Sequence, residues 1–493
     1  MSIKNLALLA AVLGSLGLAA CDLDIPDLNN PGLDELENNP NRTIVNSAAT
    51  GLLVGNRQAK STTTGFVNQL GILGRESYDF DPSDSRFTSE LLQGRLSKTD
   101  AFGSVFWAAN YANIRLGHLI LHALDKVTDF SDGEKSATRG FTHTIQALDL
   151  MVVIVTHDVT GAVIDTDHPV DQLAPFVSKD AVYAEIARLL DVGQTELAAA
   201  ADTAFPFPLS PGFVGFDTPA DFIKFNRAIR ARIAVYQKDY ATALKALDAS
   251  FLPKTNVETE VNFNQGVFYV YSLLTGDAVN GLTNPSIGAH PALKTDAQPQ
   301  EPGNPNNTHV DARYEAKVKP ILDSKKMPTS LDGPALSGVS TNIEFTLYSS
   351  PIASIPLIRN EELLLLQAEA LYLAQPPDRD RARALIKLNM VRHGSGKLQP
   401  RALDDFPTDD AFIDALLYER RYSLMFEGGH RWIDLRRFGR QLPLDVAMEI
   451  KDENGEVKAA PHVRNVHYPV PQAECDARPG EPMCTITSQQ GGP

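Results

Sequence analysis

The sequence is short of several residue types. Its 493 residues include only three cysteines and two tryptophans. It has fewer basic than acidic side chains, 45 against 61. The resulting formal charge of −16 argues against a nucleic-acid-binding protein, because phosphate groups are neutralised by a basic surface. It argues equally against electrostatic docking on anionic lipid. The hydrophobic content of 43% nevertheless indicates a folded chain that is long enough for two or three domains.

Signatures of catalysis are also missing from the sequence. It contains no GxSxG, Walker or dinucleotide-binding glycine pattern, and no two of its eleven histidines enclose a glutamate at zinc-protease spacing. Asp79, Asp81 and Asp84 form an acidic group, but they lack the glycine and the terminal glutamate of a calcium loop. The sequence therefore predicts no catalytic residue, no metal site and no cofactor.

The first 20 residues are predicted to lie outside the fold. Lys4 gives a positive start, and residues 6–20 are apolar or small, in a run too short to span a bilayer as a helix. The run ends in LAAC, residues 18–21, which resembles the lipobox of bacterial lipoprotein signal peptides. That resemblance implies cleavage before Cys21 and its lipidation, with several acyl chains giving stable anchoring. An ordinary secretory signal with a chance cysteine is the alternative.

The two remaining cysteines, Cys475 and Cys484, lie nine residues apart near the C-terminus. In an exported chain such a pair favours a disulfide that closes a small loop. Two free thiols or a metal site are the alternatives, but no histidine or further cysteine lies nearby at zinc spacing.

Helical periodicity dominates the chain up to residue 250. Residues 21–41 are acidic and rich in asparagine and proline, which predicts an extended tether. Within residues 42–250, apolar side chains recur at steps of three and four, and Thr218 followed by Pro219 marks a helix start. The two helices that follow Thr218 resemble a tetratricopeptide pair, and residues 360–392 give a second pair. The irregular spacing predicts a mostly α, tetratricopeptide-like helical-repeat scaffold with long irregular insertions and a few short strands.

Residues 251–340 differ from the preceding region in composition, because they are rich in proline, glycine and asparagine. The segment NFNQGVFYVYSLL, residues 262–274, predicts a strand, and a long loop follows it. We take this region as an insertion within a C-terminal region of residues 251–493, and a loop of such length is typically functional or mobile.

The charged stretch LYERRYSLMFEGGHRWIDLRRFG, residues 417–439, carries the most specific resemblance. Together with IRNEELLLLQAEALYL (358–373), LIKLNMVRHGSG (385–396) and VHYPVPQAE (466–474), it resembles the RagB/SusD family of nutrient-binding outer-membrane lipoproteins. The resemblance covers most of the mature chain in order and is specific in the C-terminal third.

Membership of that family implies a protein that binds a ligand and does not catalyse a reaction. It implies a lipoprotein that sits as a lid on a SusC-like TonB-dependent transporter at the outer membrane, facing the exterior, and captures an oligosaccharide or a peptide. Contact with the membrane would be through the lipid anchor only. The alternative is a helical-repeat adaptor that assembles envelope proteins and takes no small ligand.

The density of charge in residues 417–439 has three interpretations: a catalytic centre, a docking patch or a buried set of ion pairs. Glu419 lies on an apolar stripe with Phe412, Leu416 and Tyr422, and many arginines are close in sequence. A glutamate in that position is typical of a buried ion pair. We therefore predict a structural ion-pair set of Glu419, Arg420, Glu427, Arg431, Asp434 and Arg436.

Sugar binding needs aromatic faces and planar polar groups. Trp107 and Trp432 are predicted to be core residues, because one lies on an apolar helix face and the other in the charged stretch. The loop GRESYDFDPSDSR, residues 74–86, then supplies the candidate ligand-binding residues Tyr78, Phe80 and Asp81. Aromatic residues at 268, 269 and 271 are weaker candidates, since a strand core is the favoured interpretation of that segment.

Overall fold

The computed structural model describes residues 33–169, 172–334, 337–445 and 462–490. The predicted signal peptide and the predicted lipidation site Cys21 lie outside the described residues. No described helix is both long and apolar enough to cross a bilayer.

Long helices packed side by side form the N-terminal half. The helix start predicted at Thr218 is present, because Thr218 Oγ1 accepts a hydrogen bond from Asp221 N at 3.2 Å. Ser178 caps another helix in the same way, and its Oγ accepts a hydrogen bond from Ala181 N at 3.3 Å. The helices of this half are α1 (Leu33–Asn38), α2 (Arg42–Arg57), α3 (Phe66–Leu73), α4 (Arg86–Thr88), α5 (Ala108–Lys126), α6 (Asp132–His157), α7 (Lys179–Ala199), α8 (Pro219–Tyr236) and α9 (Tyr240–Asp248).

Part of the predicted tether is folded. Residues 33–38 form helix α1 rather than an extended segment, because Leu36 is buried in the core and α1 packs against α5. The earlier part of the tether, up to residue 32, lies outside the described residues.

The C-terminal half adds a second group of helices around one that is buried on all sides. Helix α12 contacts α8, α9, α13 and α14, which explains why its sequence is apolar on nearly every face. The two predicted tetratricopeptide-like pairs are α8 with α9 and α12 with α13. The helices of this half are α10 (Ala292–Thr295), α11 (Ala312–Lys317), α12 (Asn360–Leu373), α13 (Arg381–Gly394), α14 (Asp409–Ser423), α15 (His430–Arg437) and α16 (Gln472–Ala477).

The strands are short and antiparallel. One sheet has the order β1-β3-β7-β4, and two further pairs are β2 with β8 and β5 with β6. The strands are β1 (Ser77–Asp79), β2 (Gly266–Tyr269), β3 (Ile287–Ala289), β4 (Val318–Pro320), β5 (Leu331–Asp332), β6 (Ser340–Thr341), β7 (Ile343–Phe345) and β8 (Ile355–Arg359).

Two hydrophobic clusters hold these layers together. The larger one runs through the helices and contains Trp107 and Trp432, both buried as predicted. The smaller one lies under the four-stranded sheet and contains Phe426. A disulfide joins Cys475 to Cys484 at the end of the chain. The predicted mostly α helical-repeat fold with few short strands is confirmed.

Candidate ligand-binding site

The charged stretch of residues 417–439 lies inside the molecule. Glu419 on α14 is held from two sides: Arg313 on α11 reaches its Oε2 atom at 2.7 Å, and Arg392 on α13 reaches Oε1 at 2.7 Å. All three side chains are nearly inaccessible to solvent. A buried carboxylate that lies between two guanidinium groups forms an ion-pair bridge between helices, which is a structural role.

The second carboxylate of this stretch, Glu427, is paired in the same way. Its Oε1 atom lies 2.8 Å from Arg359 NH2 and 3.3 Å from Lys317 Nζ, and its Oε2 atom accepts a hydrogen bond from Arg359 Nε at 3.2 Å. Arg359 is the last residue of β8, so this pair connects the turn after α14 to the antiparallel β2–β8 pair.

The residues of the predicted ion-pair set lie at several places in the core and do not form one cluster. Of its six residues, all of them described, only Arg420 and Asp434 pair with each other, at 2.6 Å. Arg431 donates to Gly74 O at 3.0 Å, and burial together with the neighbouring Arg421 lowers the pKa of Arg431 to about 9. Arg436 donates to two backbone carbonyl oxygens, those of Val466 and Val155, and its Nε lies 3.5 Å from Asp158. The partners come from distant parts of the chain, which sequence spacing does not reveal.

The predicted ligand-binding residues lie at the buried edge of the four-stranded sheet. Tyr78 is 3% exposed, its ring stacks on Phe80 with the centroids 5.2 Å apart, and its hydroxyl donates to Asp445 Oδ1 at 2.9 Å. Asp81 is partly exposed, but its carboxylate accepts hydrogen bonds from the backbone and side chain of Ser83. In this arrangement neither ring has a face open to a sugar, and Asp81 caps its own turn.

The rest of the described chain has no fully exposed aromatic ring either. The large hydrophobic side chains that are exposed in the described parts of the chain are all aliphatic, so a stacking face has to come from a partly exposed ring. One such ring, Phe268 on β2, lies in an open groove of about 890 Å³. We call this the β2 groove; it is lined by Pro211, Gly212, Val214, Gly215, Phe216, Asn264, Gln265, Gly266, Phe268, Val270 and Ser354.

Two backbone features shape the β2 groove. The register of β2 against β8 shifts between Val267 and Phe268, and Val267 is buried while Phe268 stays partly exposed. On the other wall, a turn at residues 211–216 approaches the strand closely. A Cβ atom on Gly212 would lie 1.8 Å from the carbonyl oxygen of Phe268, so only glycine permits this approach.

The chemistry of the β2 groove is uncharged. Asn264 and Gln265 are exposed and supply planar amides, Phe268 supplies a ring face, and Val214 supplies an apolar edge. No lining residue carries a charge. Apolar faces with a few polar groups are typical of a site for a neutral organic ligand.

Other grooves differ in charge. One between α5, α6 and α7 is lined by Asp167, Glu185 and Arg188, and another between α7, α8 and α15 is lined by Lys179 and Arg436 among others. Such surfaces suit charged partners. Within the described ranges, no three His, Cys, Asp or Glu side chains are placed to hold a metal ion.

The β2 groove was missed in the sequence because Phe268 was assigned to the strand core. Two local signals point to it in retrospect. A polar run at residues 262–265 comes directly before the aromatic strand, and the segment GFVG at 212–215 has glycines on both sides of two apolar residues.

Comparison with known proteins places the chain in one structural group. The sequence model of the SusD family matches residues 342–480. No curated protein matches the sequence significantly. Among solved structures, a SusD-like carbohydrate-binding protein from Bacteroides fragilis is similar with a TM-score of 0.65 and 15% identity, over 91% of this chain and all of the other.

Two further solved structures show the same fold. A SusD superfamily protein from Bacteroides vulgatus has a TM-score of 0.60 at 15% identity, covering 91% of this chain and 99% of its own. A laminarin-binding SusD-like protein has a TM-score of 0.54 at 19% identity, covering 81% of this chain and 92% of its own.

Proposed function

Because residues 342–480 belong to the SusD family and the described chain has the SusD-like fold, we propose that the protein is a substrate-binding lipoprotein of the cell surface. It captures an oligosaccharide, or a peptide, for import through a partner TonB-dependent outer-membrane transporter. The identification of the family from the charged stretch is confirmed, and the ligand, the partner and the location are proposals that rest on it.

The observation that carries the proposal is the uncharged β2 groove. A pyranose ring presents an apolar face that packs on an aromatic ring, and its hydroxyl groups pair with planar amides. Phe268, Asn264 and Gln265 supply these groups side by side. Two of the similar structures are a carbohydrate-binding and a laminarin-binding protein, which supports a sugar over a peptide as the ligand.

Binding without turnover is supported by the state of the acidic residues. Glu419 and Glu427 are the two carboxylates that sequence spacing offers for a hydrolase, and both are buried and held by cationic side chains.

A protein partner is supported by an exposed apolar tip. In the loop after β2, Leu273 and Leu274 are 72% and 76% exposed, and Arg57 holds the loop through an ion pair with Asp277. Neighbouring exposed leucines are typical of interaction surfaces. The same tip also fits the second candidate function, an envelope adaptor without a small ligand.

The deciding experiment is a glycan and peptide array probed with the lipid-free chain from residue 22 onward. We expect binding to one class of neutral oligosaccharide. Co-expression with a TonB-dependent transporter from the same genome, followed by affinity capture, tests the transporter. A chain that binds no array ligand but captures several envelope proteins would overturn the proposal in favour of the adaptor.

A further inference from the structure

A cavity that is partly open to solvent lies between the N-terminal helices and the turn that precedes α15. Its walls come from the loop after α2, from α3, α6 and α8, and from β2 and β8. None of its lining residues lines the β2 groove. The space inside it is large enough for several water molecules, which is also room for a small organic acid.

Most of this wall is apolar. Side chains such as Phe66, Val152, Leu357 and Ile433 surround the space, and they offer hydrocarbon contacts and no hydrogen bonds. A ligand in this cavity therefore has a largely apolar body.

One charged group in the wall lacks an acceptor. Lys60 is 6% exposed, and within the described part of the chain no carboxylate lies within 4.0 Å of its ammonium and no atom accepts a hydrogen bond from it. Its recorded contact is with the ring of Phe66, whose centroid lies 5.2 Å from Nζ. A buried ammonium without an acceptor is unfavourable, because burial removes its hydration without replacing it.

The carboxylate that interacts electrostatically with Lys60 is that of Asp149, and it already accepts hydrogen bonds from other residues. Asp149 accepts hydrogen bonds from Asn56 and Asn113, each at 2.7 Å. Burial lowers the pKa of Lys60 to about 8, with Asp149 opposing the shift, so the side chain is still mainly an ammonium at pH 7.

The other polar groups of the wall offer no counter-charge. Glu427 is held by Arg359 and Lys317, and Arg232 is paired with Glu362 at 2.7 Å. His430 has a buried Nδ1 atom with no hydrogen-bond partner among the described residues, and burial lowers its pKa to about 4, so the ring is neutral. The wall thus has a positive group without a partner and a ring nitrogen without a partner.

We propose that this cavity binds a small apolar carboxylate, with the carboxylate on Lys60 Nζ and the hydrocarbon body along the apolar wall. The anion supplies the acceptor that the ammonium lacks, and the ligand's apolar surface replaces empty space. The ligand class is a monocarboxylic acid with a short aliphatic or aryl body, and it is different from the neutral ligand of the β2 groove.

Octanoate and benzoate are the probes, with 1-octanol as the uncharged control, measured by titration calorimetry on the wild-type chain at pH 7. We expect octanoate to bind about tenfold more tightly than octanol, because the carboxylate forms a charged hydrogen bond inside the protein. This comparison needs no variant. Equal affinity for the two probes, or no heat with either, would overturn the proposal and leave a cavity that holds water.

Variants locate the contact. Lys60→Met is expected to weaken octanoate binding about tenfold and leave octanol binding unchanged, while Lys60→Arg keeps octanoate binding. Lys294→Met, at an exposed lysine on α10, is the matched control and is expected to behave as wild type. Undiminished octanoate binding by a folded Lys60→Met variant would also sink the proposal. Glycan binding is measured on the same variants. Loss of octanoate binding with glycan binding retained then concerns the Lys60 cavity alone, and the reverse result concerns the β2 groove alone.

Discussion

Arg420 Nε lies 2.6 Å from Asp434 Oδ2, across the turn that joins α14 to α15, and both side chains are almost fully buried. Arg437 reaches the same carboxylate at 2.9 Å and also pairs with Glu369 on α12 at 3.0 Å. Asp434 therefore links α14 to α15, and Arg437 extends this link to α12.

Replacing Asp434 with Asn is expected to lower the free energy of unfolding by about 3–5 kcal/mol, because two buried arginines lose their shared counter-charge. Urea denaturation followed by circular dichroism measures the change. The matched control is Asp410→Asn, since Asp410 pairs with Arg440 at the surface and its loss is expected to change stability by less than about 1 kcal/mol. Equal effects of the two substitutions would contradict a core role for Asp434.

Glu427→Gln separates a structural carboxylate from a catalytic one. We expect a lower melting temperature, with a loss of about 3 kcal/mol, because Arg359 and Lys317 would remain buried without their anion. Differential scanning calorimetry measures it, and Glu260→Gln at an exposed site serves as control. If the variant melts like wild type but loses a hydrolytic activity that the wild type shows, Glu427 is catalytic.

Glu76 gives a pH-dependent prediction. Burial raises the pKa of its carboxyl to about 7, with Arg431 opposing the shift, and its Oε2 atom has no hydrogen-bond partner among the described residues. Because the folded pKa is raised above the ordinary value of 4.5, the folded state holds the proton more tightly. The contribution of Glu76 to stability is then fully present below about pH 4.5 and is lost as the pH rises through about 7.

Glu76→Gln removes this titration. We expect the variant to exceed the wild type in unfolding free energy by an amount on the order of 3 kcal/mol at pH 8, and to differ little from it at pH 4.5. Urea titrations of both proteins across this range give the difference directly. A constant difference at all pH values would show that Glu76 does not titrate in the window.

The β2 groove is tested through its ring. Phe268→Ala is expected to weaken binding of the oligosaccharide found on the array by about tenfold, because the stacking face is lost, while the melting temperature changes little. Tyr314→Ala, at a partly exposed aromatic on α11 outside the groove, is the matched control. Unchanged affinity in Phe268→Ala, with loss of binding in Tyr78→Ala, would return the site to the loop at residues 74–86.

Much of the helical scaffold can be predicted from local sequence patterns. The cap at Thr218, the apolar stripes of the long helices and the all-round apolar helix at 360–373 each depend on interactions within a few turns of chain. The exception is α1. This helix is stabilised by the burial of Leu36 and by packing against α5, which lies about 70 residues later in the sequence.

The candidate site was less predictable for the same reason. Tyr78 looked available because its neighbours are polar, yet the antiparallel pairing of β1 with β3 and the contact with Asp445 bury its ring. Phe268 looked like core because its neighbours are apolar, yet a register shift in β2 leaves it partly exposed. Exposure of a single ring depends on which distant strand lies beside it.

Local sequence patterns are sufficient to indicate the helical class, the burial of Glu419 and the resemblance to the RagB/SusD family, because periodicity and short motifs depend on residues that are close together along the chain. The tertiary structure alone sets which cation each buried carboxylate meets, where an uncharged groove opens, and that Lys60 lines a cavity without an acceptor for its ammonium. These depend on side chains up to hundreds of residues apart, whose positions are set by packing of the whole fold.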